Sequence, residues 1–284
     1  MKRENAMSVN TKPSVLTVAG SDSFAGAGIQ ADLKAIQAQG AHALTVVTAI
    51  TAQNSKGVQA VHALPAQWVD EQLDALLSDQ QVDAIKIGAL ANPTIVETVA
   101  KHLAPYATLP IVLDPVVMSS SGHRLLSQAG EKALIKQLLP LATLITPNQP
   151  EAQALSGCAA SDNPSPGALA QRLLSLGAGA VLIKGGHNPD PLACCDRLFQ
   201  RKHPVKTTCS PRVSTSATHG TGCLLSSAIA THLAKGHDLA TSVELSHHWL
   251  HQCLKQTENM TLTCLNPTGE EPRFPVPVIK PPAD

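Results

Sequence analysis

The chain is constrained above all by one alternation: a short β-branched run, apolar on both sides of the pleat, followed by a segment of helical period. The runs fall at residues 15–19, 44–50, 84–88, 111–114, 144–146 and 180–184. Helical periodicity predicts helices over 29–39, 66–78, 93–104, 127–139, 150–156, 165–176, 222–234 and 239–257. A strand that is apolar on both faces needs cover on both, which is the environment of a mostly parallel sheet flanked by helices. The expected fold class is therefore α/β, a three-layer α/β/α sandwich with a mostly parallel central sheet. Residues 52–57 read as a polar loop, and 194–208 as a small hairpin or irregular excursion. No repeat or linker divides the chain. A polar leader is expected over 1–13, one domain over 14–265, and an extended or irregular proline-rich tail over 266–284.

Composition excludes several classes of function. Lys plus Arg equals Asp plus Glu at 21 each, so no net charge recruits nucleic acid or an anionic membrane. Aromatic residues make up 2%, too few for a base-stacking platform. The seven cysteines contain no C-x-x-C pair, which suggests neither a disulfide framework nor a zinc site and fits a reducing, cytoplasmic setting. The charged N-terminus lacks the apolar stretch of a signal peptide, and no apolar run reaches the ~18 residues of a membrane span.

In open parallel sheets, ligands bind beyond the carboxyl ends of the strands. The polar and glycine-rich residues of this chain gather at those ends: Gly20 to Asp22, Gln53 and Asn54, Gly88, Asp114, Thr146 to Asn148, and Lys184 to His187. The segment His219-Gly220-Thr221-Gly222-Cys223 runs directly into a helical pattern. Its small residues allow close backbone approach, and the helix start offers unpaired N–H groups to an anion such as phosphate. A plain glycine turn capping a buried helix is the other reading of this segment alone.

No G-x-x-x-x-G-K-[ST] occurs, so a P-loop is excluded. Gly26-x-Gly28-x-x-Ala31 resembles a dinucleotide fingerprint but starts too far past its strand and has no acidic residue about 20 positions on. Asn148 and Glu151, three apart at a helix start, suit either Mg²⁺ with its waters or a capping box. Asp32, inside an apolar helical pattern, and Gln53, just past a strand, are polar outliers that ordinary solvation would also explain. His247, His248 and His251 read as surface or packing residues, and Cys194, Cys195 and Cys253 as structural.

Taken together, several stretches resemble one family. They are Ala19-Gly20-Ser21-Asp22, Gly26-Ala27-Gly28-Ile29-Gln30-Ala31-Asp32-Leu33-Lys34, Thr51-Ala52-Gln53-Asn54-Ser55-Lys56-Gly57-Val58, Lys86-Ile87-Gly88, Leu113-Asp114-Pro115-Val116, Thr146-Pro147-Asn148-x-x-Glu151, Lys184-Gly185-Gly186-His187 and 219–223. In that order they resemble the hydroxymethylpyrimidine/phosphomethylpyrimidine kinases of thiamine biosynthesis, within the ribokinase-like superfamily. The resemblance implies a homodimeric, ATP- and Mg²⁺-dependent kinase. Its substrate would be 4-amino-5-hydroxymethyl-2-methylpyrimidine and then the monophosphate.

Carried over by residue, Gln53 would hydrogen-bond the aminopyrimidine with help from Asp32 and the Gly20 backbone, and Ala89 and Val116 would line its pocket. Asn148, Glu151 and Asp114 would hold Mg²⁺ and its waters, and Lys184 would meet the ATP phosphates. The amides of Gly220, Thr221, Gly222 and Cys223 would form the anion hole. Cys223, where sugar kinases of the superfamily carry an aspartate, would serve as base, its thiol lowered from ~8.5 by the helix start. Two departures stand out: Ala89 replaces the usual Met, and the usual C-terminal Gly-His-Gly segment is missing. A pyridoxal or pyridoxine kinase, and a non-catalytic pyrimidine-binding protein, are the competing readings.

Overall fold

The doubly apolar runs lie side by side. In the computed structural model, which describes residues 12–119, 122–158, 164–186, 192–215 and 217–257, nine strands form one sheet. In chain order these are β1 (Ser14–Asp22), β2 (His42–Asn54), β3 (Gly57–Ala63), β4 (Ala84–Ile87), β5 (Ile111–Leu113), β6 (Leu144–Ile145), β7 (Ala180–Ile183), β8 (Ala193–Gln200) and β9 (Lys206–Pro211). Their spatial order is β3-β2-β1-β4-β5-β6-β7-β8-β9. Strands β1, β2 and β4 to β7 pair in parallel, while β3, β8 and β9 add antiparallel margins. Most of the leader and all of the proline-rich tail lie outside the described residues.

Helices α1 (Gly28–Ala38), α2 (Ala66–Leu77), α3 (Pro93–Leu103), α4 (Gln128–Ala133), α5 (Gln149–Ser156), α6 (Pro166–Ser175), α7 (Thr221–Ala234) and α8 (Leu239–Gln256) cover the sheet. Strand alternation sorts the core into two halves. Leu16, Val18, Ile85 and Ile87 pack with Leu73 of α2, Ile95 of α3 and Leu169 of α6. Val15, Val112, Leu144 and Leu182 pack on the other side with Ile36 of α1, Ile229 of α7 and Val243 of α8. Helices packed on both faces of the sheet make the three layers.

Three expectations need correction. Residues 52–57 are not an open loop: β2 continues to Asn54 and turns into β3, none of whose side chains is buried and which carries no apolar run. The helix expected over 127–139 stops at Ala133, passes through a π turn at 134–138 and ends in a 3₁₀ turn containing Pro140, which has no N–H to continue it. The third is the absence of a disulfide: the hairpin reading of 194–208 holds, as the antiparallel pair β8–β9. That pairing sets Cys195 opposite Cys209, and the two form a disulfide with Cα atoms 4.1 Å apart, a bridge their spacing of 14 did not announce. The three histidines of α8 divide between the expected packing and surface settings: His247 is buried, whereas His248 and His251 stay near the surface.

Among the described residues, no helix is long and apolar enough to cross a membrane.

Candidate active site

The carboxyl ends of β1, β2, β4, β5 and β7 open onto one cavity of about 690 Å³. Gly20, Gln53, Ala89, Asp114, Val116, Asn148, Glu151, Lys184 and the segment Gly220 to Cys223 all line it. One expected residue does not. Asp32 is fully buried on the sheet-facing side of α1, its oxygens taken by Thr17 Oγ1 (2.6 Å), Ser227 Oγ (2.8 Å) and Lys86 Nζ (2.8 Å to each oxygen). With its lone pairs so committed, Asp32 has none to offer a pyrimidine; Lys86, at the other end of the pair, faces the cavity. Burial works against the Lys86 charge, but Asp32 outweighs it, with Cys223 and Asp114 adding to the upward shift.

Two glycine turns interlock to form the floor. Gly220, the N-cap of α7, has φ +79°, and a Cβ there would overlap the carbonyl oxygen of Gly26. Gly28 has φ +56°, and its Cβ would overlap the Gly20 carbonyl. Only glycine satisfies both the left-handed backbone and the close approach. No side chain caps α7, and its first turn holds no acidic residue. The helix start therefore presents its amides and its partial positive charge to the cavity.

Beside that start lies a compact charge cluster. Lys184 Nζ donates to Asp114 Oδ1 at 2.8 Å and stands 3.8 Å from Glu151 Oε2. A Cβ on Gly222 would be 3.1 Å from the ammonium, so the cation lies against the first turn of α7. Burial disfavours the charge on Lys184, yet the two carboxylates outweigh it and raise its pKa. Glu151 moves up because it is buried and Asp114 is near, with Lys184 opposing. The capping reading of Asn148 and Glu151 is realised in full: Asn148 Oδ1 accepts from the Glu151 N–H and Glu151 Oε2 from the Asn148 N–H, both at 2.8 Å. Two carboxylates and an amide, all oxygen donors on one wall, also match the hard donor set of Mg²⁺.

Cys223 departs from expectation. Its thiol is buried beneath the cavity surface, and burial pushes it up to about 11; Lys86 and the Gly28 N–H pull it down, while Asp32 and Asp114 push it further up. Position at a helix start does not compensate for lost hydration here.

Sequence reasoning passed over Asp22 and His219, although both stood inside quoted motifs. Asp22 Oδ2 accepts from the amides of Gly26 (3.0 Å) and Ala27 (2.8 Å) and from His219 Nε2 (2.9 Å). Burial opposes ionisation of Asp22, and the His219 bond with the Phe24 and Ala27 amides overrides it, lowering its pKa. His219 Nε2 also lies 2.9 Å from the Gln53 side-chain amide. With its Nε2–H given to Asp22, His219 cannot also accept from the Gln53 NH2 at that nitrogen; the contact sets Gln53 beside the anion turn.

A phosphate-receptive helix start on the carboxyl rim of a mostly parallel sheet, with a buried lysine but no P-loop, is the arrangement of a ribokinase-like small-molecule kinase. Comparison with known proteins narrows the class. The chain belongs to the phosphomethylpyrimidine kinase family, whose profile matches residues 22–267.

The hydroxymethylpyrimidine/phosphomethylpyrimidine kinases of Haemophilus influenzae and Escherichia coli are 43% and 42% identical to it, over 87% and 92% of this chain and 92% and 94% of theirs. The chloroplastic thiamine biosynthetic bifunctional enzyme of Arabidopsis thaliana is 42% identical over 90% of this chain, which spans 49% of that longer protein. Among solved structures, the phosphomethylpyrimidine kinase of Clostridium difficile superposes with a TM-score of 0.72 at 39% identity, covering 85% of this chain and 99% of that one. An ADP complex of Bacillus subtilis pyridoxal kinase gives 0.79 at 31% identity, covering 89% and 98%.

Proposed function

We propose that this protein transfers the γ-phosphoryl group of ATP to the hydroxymethyl group of 4-amino-5-hydroxymethyl-2-methylpyrimidine, and then phosphorylates the monophosphate to the pyrophosphate. The observation that carries the reading is the approach of Gln53 to His219 at 2.9 Å, within the cavity that also holds the uncapped start of α7. An amide donates and accepts at once, which matches the donor and acceptor pattern of an aminopyrimidine. The hydroxymethyl group then lies towards Cys223, and Ala89 and Val116 wall the ring.

Phosphoryl transfer asks mainly for alignment and for stabilisation of charge on the equatorial oxygens. The amides of Gly220 to Cys223 supply fixed donors, and Lys184 supplies a cation that two carboxylates keep protonated. Asp114, Glu151 and Asn148 would hold Mg²⁺, which neutralises phosphate charge when bound with ATP. The acceptor hydroxyl gives its proton to the Cys223 thiolate as the new O–P bond forms. At pH 8 a thiol near 11 is ionised to about one part in a thousand, so this step is fed by a minority form.

Coupled ADP release with the pyrimidine alcohol, and separately with its monophosphate, tests the proposal. Turnover of both supports it, and ATP-dependent turnover of neither removes it. A second reading, pyridoxal kinase, is favoured by the small side chain of Ala89 and by the likeness to the Bacillus subtilis enzyme; kcat/KM for pyridoxine against the pyrimidine alcohol separates the two.

A further inference from the structure

On the cavity wall beside Gly186 and Arg212, three polar residues from separate elements form a continuous chain. His247 of α8 approaches Asp196 of β8 through Nδ1 (2.8 Å) and Ser210 of β9 through Nε2 (3.0 Å). All three are more than nine-tenths buried, and all three line the cavity. A carboxylate can only accept, so Nδ1 carries a proton towards Asp196. In the neutral ring, Nε2 then accepts from the Ser210 hydroxyl.

The second oxygen of Asp196 does not end in solvent. Oδ1 accepts from the Gly185 N–H at 2.8 Å, in the residue that follows Lys184. Gly185 is pressed so closely on β8 that a Cβ would overlap the Cys195 carbonyl, so its turn is seated directly on the strand carrying Asp196. On its other side the turn is tied by the Lys184 N–H to the Pro147 carbonyl at 3.0 Å. The Lys184 ammonium then reaches Asp114 at 2.8 Å, against the first turn of α7.

A buried ionic chain is seldom more stabilising than apolar packing of the same volume. Its value here is directional: each member has a partner, and the last one fixes a backbone amide next to the phosphate-facing cation.

We infer that Asp196, His247 and Ser210 form a positioning relay that orients the Lys184-Gly185-Gly186 turn and so sets nucleotide affinity through Lys184. None of the three acts on the reacting atoms. The inference rests on the reading that Lys184 meets the ATP phosphates, and its test keeps the two separable.

The experiment is a double-mutant cycle on ADP binding to the full chain, read by titration calorimetry so that no turnover is needed. His247→Leu removes both ring bonds, and Lys184→Ala removes the cation. Coupled residues in one network interact measurably, so His247→Leu is expected to weaken ADP binding about tenfold when Lys184 is present and less than about twofold when it is absent. An equal effect in both backgrounds, or a fall in melting temperature with unchanged ADP affinity, overturns the relay. If Lys184→Ala alone leaves ADP affinity unchanged, the reading of Lys184 fails and the inference falls with it. Asp196→Asn keeps the shape of the side chain but cannot accept from both Gly185 and His247 as a carboxylate does. It carries the same cycle if His247→Leu does not fold, with the same outcomes deciding.

Discussion

A methyl group on Gly220 would overlap the carbonyl oxygen of Gly26, 194 positions earlier in the sequence. The turn after β1 and the turn before α7 are thus one interlocked unit, and the anion site exists only while they stay seated. Gly220→Ala meets both the left-handed backbone, worth roughly 1–2 kcal/mol, and this steric overlap. Gly40 is the internal control: it has φ +78° but nothing within 4 Å of an added Cβ. Gly220→Ala is expected to lower the melting temperature and to cut kcat by about a hundredfold, as loss of oxyanion donors does. Gly40→Ala should show the strain in its melting temperature alone, with kcat intact. Calorimetry and steady-state kinetics on the two variants check this.

The elevated thiol of Cys223 has a kinetic consequence. If the minority thiolate takes the proton, log kcat climbs with pH from 7 towards 10, because the ionised fraction of a group near 11 grows about tenfold per unit across that range. Cys223→Ser, with no group titrating in the window, should lower kcat sharply and flatten the slope while leaving KM for the pyrimidine near its original value. A flat profile for the unmodified protein over pH 6–9 would assign Cys223 to packing alone.

What sequence made legible, and what it did not, follows from the range of each interaction. The parallel strands carry their own evidence in doubly apolar runs, so β1, β4 and β7 could be located from composition within a few residues. β3 could not, since none of its side chains is buried and its pairing with β2 makes it a strand. The same holds for β8–β9 and the Cys195–Cys209 bridge it creates.

At the site, the glycine turns and Lys184 stood out because residue type and strand-end position agree. Asp32 misled because a polar residue in an apolar helical pattern signals burial with a partner as readily as it signals a ligand. Its partner, Lys86, lies 54 residues away on a strand where a lysine reads as a simple interruption. His219 and Asp22 belong to motifs, but their contact spans 197 residues and no local pattern encodes it.

The Asp32–Lys86 pair yields a stability prediction. Both side chains are fully inaccessible, and Asp32 has further bonds to Thr17 and Ser227. Removing one member of a buried pair strands the other charge, at a cost of roughly 3–5 kcal/mol. Lys86→Met should therefore lower the urea midpoint strongly. Adding Asp32→Asn to it should recover part of the loss, because the amide carries no charge, its oxygen can accept from one of the Thr17 and Ser227 hydroxyls, and its NH2 can donate to the other. Equilibrium unfolding of the two variants measures the difference; equal midpoints would mean that stranded charge is not the dominant effect.

The last prediction concerns Ala89, which stands where the resembled family usually carries Met. Its carbonyl is held by Thr48 Oγ1 at 2.6 Å, so the backbone is fixed and only the side chain can change the cavity. A Cβ built on Gly20 would be 3.9 Å from the Ala89 Cβ, so Ala89 and the β1 turn adjoin on one stretch of the cavity wall. Ala89→Met adds three heavy atoms to that wall and leaves the glycine turns and Lys184 untouched. Pyridoxine carries more ring substituents than the aminopyrimidine and has less room to yield. In an apolar pocket, steric differences of this size discriminate by about 10- to 200-fold. Ala89→Met is accordingly expected to lower kcat/KM for pyridoxine by at least about tenfold and to alter that for hydroxymethylpyrimidine by less than about threefold. Parallel kcat/KM measurements on the two alcohols decide it, and equal losses on both would show that the space beside Ala89 does not select the ring.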